Sequence, residues 1–201
     1  ASAKALRTIQ QRNVNPSEVR VLGVIRPTAE QAPLMTRTGH IGVLATPGTV
    51  ASESYVIELQ KQNPNLTITQ QSCPMWVPLI ESGEHIGDGA DYFVEKYINE
   101  LLARDPEIDT IILGCTHYPL LQGKIEAYLS HFARPIAVMA QGKIVATSLR
   151  DYLQRHTDIA VRAKEEGAPT VTFLTTENAT KSAESASQFL SEEIQAKHID
   201  L

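Results

Sequence analysis

The sequence predicts an α/β fold, with a parallel sheet covered by helices. Short apolar, β-branched runs alternate along the whole chain with longer segments of helical spacing, as βαβ units require. The connections are short and marked by Pro, Gly and Asn, which makes right-handed crossovers the default. No dinucleotide fingerprint, tandem repeat or low-complexity segment competes with this reading.

The elements come in a regular order. Ala1 to Gln11 places Ala3, Leu6 and Ile9 at helical spacing. After a polar turn at Asn13 to Pro16, the run Val19 to Ile25 reads as a buried strand, and Pro27 suits the first turn of a helix reaching about Thr36. His40 to Ala45 reads as a strand, Thr46 to Thr49 as a turn, and Val50 to Gln60 as a helix that stops before Asn63-Pro64-Asn65. Leu66 to Gln71 alternates like a strand with one more polar face, and Pro74 and Pro78 break the next segment into short pieces around Trp76. From Asp88, the spacing of Val94, Ile98, Leu101 and Leu102 predicts an amphipathic helix ending near Arg104. Asp109 to Leu113 is the next strand, succeeded by Gly114-Cys115-Thr116-His117 and a helix carrying Ile125 and Leu129. Pro135 to Met139 is a strand, and Ile144, Val145, Leu149, Tyr152 and Leu153 mark one helix face. A polar linker spans Thr157 to Pro169; a strand at Thr170 to Leu174 and a helix with Phe189, Leu190 and Ile194 inward close the chain.

Composition excludes several classes. The 201 residues are 42% hydrophobic, enough for one large core or two small ones. A net charge of −5 without a Lys/Arg cluster argues against a nucleic-acid surface. No run is long and apolar enough to span a bilayer, and the expected location is the cytoplasm, where the two cysteines stay free thiols. Neither has the companions of a metal site.

Cys115 draws the chemistry. It comes directly after a buried strand, and in open α/β sheets ligands bind at the carboxyl ends of strands. Backbone N–H groups at a helix start, and His117 two residues on, are expected to favour its thiolate. A buried cysteine is otherwise a small hydrophobe, the reading given to Cys73. Thr116, Thr46 and Thr49 suit either helix capping or ligand contact. Glu81 lies in an apolar run where a carboxylate needs a partner. His40, His85, His131, His156 and His198 lie in polar runs and are expected at the surface.

The run Gly114-Cys115-Thr116-His117-Tyr118-Pro119-Leu120-Leu121 resembles the second catalytic motif of bacterial glutamate racemases, in the cofactor-independent aspartate/glutamate racemase superfamily. Gly23-Val24-Ile25 with Pro27, Ile41 to Val50 with its threonine turn, and Cys73 to Gly83 with its acidic residue are similar to further family segments in the same order. Arg26, Thr28 and the neutral run Met139-Ala140-Gln141-Gly142 depart from the family pattern, in which an Asp-containing turn is frequent at the last.

The resemblance implies two parallel-sheet, helix-covered domains of the racemase type, divided as 1–36 with 135–201, the first one incomplete, and 37–134. It implies interconversion of L- and D-glutamate by two opposed bases, supplying D-glutamate for peptidoglycan. Cys115 would be one acid/base assisted by His117, with Thr116, Thr46, Thr49 and Glu81 around the substrate. It further implies no cofactor, no metal, a small-molecule substrate and a homodimer. The family's opening Asp-Ser-Gly turn and its Cys-Asn-Thr motif have no counterpart here, and Ala1 to Leu6 is similar to the family segment directly after the latter motif. The expectation is therefore a racemase lacking its N-terminal portion and inactive as this chain alone. An aspartate racemase and a non-catalytic small-acid binding module are the alternatives.

Overall fold

A computed structural model describes residues 6, 8–11, 21–157, 171–190 and 192–200. Contacts divide the chain into two compact units, Ala1–Leu149 and Arg150–Leu201, where the sequence reading divides it at 36 and 134. The first unit is built on α1 (Ile25–Met35), β1 (His40–Ala45), α2 (Pro47–Ala51), α3 (Ser54–Gln62), β2 (Thr67–Ser72) and α4 (Trp76–Glu81). It continues through α5 (Asp88–Arg104), β3 (Thr110–Leu113), α6 (Gln122–Leu129), β4 (Ala137–Met139) and the start of α7 (Gln141–Arg155). The strands form one parallel sheet in the order β2-β1-β3-β4.

Residue alternation explains the two cores. Ile41, Val43 and Ala45 of β1 and Ile112 of β3 face a layer formed by Ala29 and Ala32 of α1 with Tyr55 and Leu59 of α3. Leu44 of β1 and Ile111 and Leu113 of β3 face the opposite layer of Trp76, Ile98, Leu101, Ile125 and Leu129. β1 and β3 are thus buried on both faces, as parallel strands under helices must be. Gly42 sits on the second face, where a Cβ would lie 2.7 Å from Leu101 Cδ2 and 3.3 Å from Ile108 Cγ2. The missing side chain lets α5 approach the sheet.

At the opposite end of the strands from Cys115, the Asp109 carboxylate gathers the loop entering β1. It accepts from Thr36 Oγ1 at 2.6 Å, Arg37 N at 2.7 Å, Thr38 N at 3.0 Å and Thr110 Oγ1 at 3.1 Å. Burial pushes this carboxyl up, but the four hydrogen bonds outweigh it and hold it below the usual carboxylate range.

Several expectations need correction. Val21 to Gly23 is not strand, and Ile25 opens α1; residues 19 and 20, like the turn at Asn13 to Pro16, lie outside the described residues. Ile25 is buried as the first residue of α1, whereas Leu22 and Val24 ahead of it are exposed, so the apolar run forms no buried strand. The helix expected from Val50 to Gln60 is two helices, because Glu53 adopts φ 50°, a left-handed conformation costing a non-glycine residue about 1–2 kcal/mol. Ser52 braces that break by donating to Thr49 O at 2.7 Å. Pro78 lies inside α4 rather than breaking it, since in the first turn its missing N–H costs no helical bond. A 3-10 turn, Tyr118–Leu121, precedes α6.

The second unit holds a βαβ arrangement: β5 (Phe173–Thr175), α8 (Ala179–Leu190) and β6 (Ala196–His198), with the two strands parallel. β6 is too short and polar to be legible. Phe189 and Leu190 are exposed rather than inward, and Ile194 lies beyond the helix. The linker from residue 158 to 169 lies outside the described residues.

Two stability measurements test this packing. Gly42→Ala should lower the urea midpoint by the equivalent of about 1–3 kcal/mol, because the added methyl meets a closed core. Asp109→Asn should be less stable than the native chain at neutral pH. Because the folded carboxyl is depressed, its contribution is present above the unfolded value and lost as pH falls through the folded one. The two stability curves should therefore converge on acidification; a constant gap would show that the Asp109 bonds do not favour the charged form.

Candidate active site

The strand order fixes where a crevice must open. From β1 the chain crosses to β2 on one side, whereas from β3 it crosses to β4 on the other. The carboxyl ends of β1 and β3 therefore border the switch point at which open α/β sheets bind ligands. Thr46 succeeds β1 and Gly114-Cys115 succeeds β3 at this point. The last β1–β3 pair is Leu44↔Leu113, and Gly114 N donates to Leu44 O at 2.8 Å. A Cβ on Gly114 would lie 3.1 Å from Ala45 Cβ, Leu44 O and Tyr55 Cε2. Glycine here lets the strand end turn against its neighbour.

Beyond Gly114 the chain enters a tight turn whose anchor is Tyr118. This side chain is fully buried, donates from its hydroxyl to Cys73 O at 3.2 Å, and meets Trp76 edge-on with ring centroids 4.7 Å apart. Trp76 packs in turn on Tyr97 at 5.9 Å. Such aromatic pairs contribute about 0.5–1.5 kcal/mol beyond their burial. The result is a rigid floor under Cys115.

Cys115 is half-buried, and three backbone N–H groups, from Thr116, His117 and Tyr118, together with the Thr116 hydroxyl, act on its sulfur. Burial pushes the thiol up further than these donors pull it down. The expected preference for thiolate is thus corrected: the resting group is a thiol, because loss of solvent outweighs donors that stabilise the anion. Its Sγ lies 3.8 Å from His117 Nδ1, and His117 Nε2 lies 3.2 Å from Glu81 Oε1. Glu81 reaches this point from the last residue of α4. An ionised carboxylate only accepts, so the Glu81 contact favours a His117 proton on Nε2 and leaves Nδ1 facing the thiol.

The threonines divide by role. Thr46 caps α2, its Oγ1 lying 3.4 Å from Thr49 N and 3.0 Å from Thr49 Oγ1. Thr116 is exposed and caps no helix; the cap position of the next turn is His117. Cys73 is fully buried and donates to Gln71 O at 3.7 Å, and burial pushes its thiol up. Of the histidines expected at the surface, His85 is instead buried under the start of α5, and His40 is partly buried against Asp105 at 3.0 Å. Among the described residues no His, Cys, Asp and Glu group is arranged to hold a metal. A groove of about 540 Å³ along β4, lined by Leu129, Phe132, Arg134 and Ile136, shares no residue with this constellation.

Two residues near Cys115 escape sequence reasoning. Tyr55 looks like an ordinary core aromatic, yet its hydroxyl is bonded by Gln141. Burial pushes its phenol up, the Gln141 bond pulls the other way, and ionised Cys115 adds to the rise. Gln141 carries no chemical signature beyond its place just after a strand.

Residues 2–149 match the family described as Asp/Glu/Hydantoin racemase. A glutamate racemase of Dinoroseobacter shibae is 34% identical over all of this chain and 73% of its own length. One from Geobacter metallireducens is 36% identical over 75% of this chain and 54% of its own length, so the chain spans little more than half of some relatives. Among solved structures, glutamate racemase isoform RacE1 of Bacillus anthracis superposes with a TM-score of 0.83 at 28% identity, covering 100% of this chain and 70% of that one. A family match over residues 2–149, which takes in the whole parallel sheet and the Cys115 turn, means that the chain belongs to the Asp/Glu/Hydantoin racemase family.

Proposed function

We propose that this chain carries one acid/base half of a glutamate racemase site, with Cys115 as the proton carrier for one face of the α-carbon. The observation that carries the reading is the Glu81–His117–Cys115 chain of contacts at the switch point. In one direction the Cys115 S–H bond breaks as its proton passes to the α-carbanion, leaving a thiolate beside the N–H groups of the turn. In the other, the thiolate takes the α-proton and the electron pair remains on carbon. His117, oriented by Glu81, accepts or returns the thiol proton between turnovers. Thr46, Thr49 and Thr116 offer hydroxyls to the substrate's carboxylates.

Inversion also needs an acid/base on the opposite face. Cys73 does not suit that role, since it is fully buried and bonded to Gln71 O. The complete reaction therefore draws on a group other than this chain's second cysteine. The reaction needs no cofactor, since thiol and thiolate carry both proton transfers, and its product is D-glutamate for peptidoglycan. We place the protein in the cytoplasm as a homodimer; among the described residues, no helix is long and apolar enough to cross a membrane.

Proton NMR in D₂O tests the reading. With the opposite-face acid/base supplied, the protein should exchange the α-hydrogen of glutamate, and Cys115→Ser should slow that exchange by about 10²–10⁴-fold, the range of general acid–base contributions; this chain alone should not interconvert the enantiomers. Exchange untouched by the substitution would overturn it. The family description also covers aspartate, and exchange of aspartate alone would favour that racemase. Binding of glutamate without exchange would favour a small-acid binding module.

Because burial holds the thiol up, alkylation of Cys115 should rise with pH through a midpoint above that of an ordinary cysteine. Iodoacetamide labelling and peptide mass mapping read this, and a midpoint below the ordinary value would show that the turn's donors win.

A further inference from the structure

Gln141 opens α7 directly after β4, and its side chain makes two bonds back into the sheet. Its Nε2 donates to the Tyr55 hydroxyl and, at 3.0 Å, to the Leu113 carbonyl. The β3–β4 ladder ends at Ile112↔Met139, so this side chain takes the carbonyl one residue beyond the last strand pair. Leu113 stands two residues before Cys115. Tyr55, 1% exposed, lays its ring edge against Gly114, the residue between them. A carbonyl only accepts, so the Leu113 oxygen fixes which end of the Gln141 amide faces inward. The Tyr55 oxygen is then the acceptor in its own bond to Gln141.

We propose that Gln141 is a positioning residue for the proton carrier: by tying Tyr55 to the Leu113 carbonyl, it holds the Leu113-Gly114-Cys115 backbone where the turn's N–H groups converge on Sγ. Without the clamp, the buried Tyr55 hydroxyl and Leu113 carbonyl lose their shared donor, and the strand end relaxes to regain partners. The directed N–H groups drift from the sulfur, and the thiolate loses stabilisation. The catalytic meaning of the clamp rests on Cys115 being an acid/base, but the clamp is measurable through the thiol itself.

The test compares the pH profile of Cys115 alkylation in the native protein, Gln141→Leu, Gln141→Glu and Tyr55→Phe, with buried Cys73 as internal reference. Leucine fills the space without donating, and glutamate turns lone pairs toward the Leu113 carbonyl. Gln141→Leu should move the midpoint to higher pH and slow labelling at neutral pH about threefold to tenfold, half to one pKa unit. Gln141→Glu should do at least as much. Adding Tyr55→Phe to Gln141→Leu should cause little further change, because both remove one device. Profiles that superimpose on the native one, or effects that simply add, would overturn the proposal. Should Gln141→Leu fail to fold, Tyr55→Phe alone, which deletes a single oxygen, carries the same expectation at smaller size. A shifted profile in a protein whose glutamate exchange ignores Cys115→Ser would leave the clamp standing and remove the racemase reading.

Discussion

The parallel pairing of β1 with β3 governs most of what this molecule does. Both strands are buried on both faces, so their side chains are committed to packing and leave only the strand ends for chemistry. Chain connections depart from the two strands in opposite directions, and no helix can cover the gap above their carboxyl ends. Two glycines serve this pairing in different ways. Gly42 admits α5 to the sheet, and Gly114 lets Tyr55 and the end of β1 come against the strand that bears Cys115. A side chain at either place sets the core against the geometry of the site.

Electrostatics at the strand end is a contest rather than a simple activation. Three N–H groups and a hydroxyl favour thiolate, burial favours thiol, and burial prevails. For the proton carrier proposed above, this balance is useful: a deeply stabilised thiolate is a weak base, and an unsupported one never forms. His117 sits between the Glu81 carboxylate and the Cys115 thiol. Glu81 is mostly exposed, so its role is orientation more than charge, since a solvated carboxylate is well screened.

Much of this organisation was legible from residue order. The strand at His40–Ala45 falls where a short continuous apolar run places it, being buried on both faces, and the helix at Asp88–Arg104 falls where its apolar residues repeat at helical spacing. Cys115, His117 and Glu81 come together as the motifs suggest. The misses share a cause: they depend on partners distant in sequence. Glu53 breaks a well-patterned helix through a left-handed residue that composition does not mark. His85 reads as polar surface yet is buried among elements that only the fold assembles. Val21 to Ile25 reads as a strand from its apolar run, yet Leu22 and Val24 are exposed and only Ile25 is buried, at the start of α1.

Gln141 shows the same limit at the level of function. In sequence it is a neutral residue in a run that departs from the family's Asp-containing turn, and nothing marks it for chemistry. Its meaning arises from two strands ending at different heights. β3 continues past the last residue that β4 can pair, which leaves the Leu113 carbonyl, two residues before Cys115, in need of a donor. An amide supplies two N–H groups at once, so one side chain satisfies that carbonyl and the buried phenol beside it. A carboxylate there would accept where donation is required, and would add negative charge near the Cys115 thiol, disfavouring its ionisation. The neutral residue is therefore the one compatible with both the sheet and the sulfur.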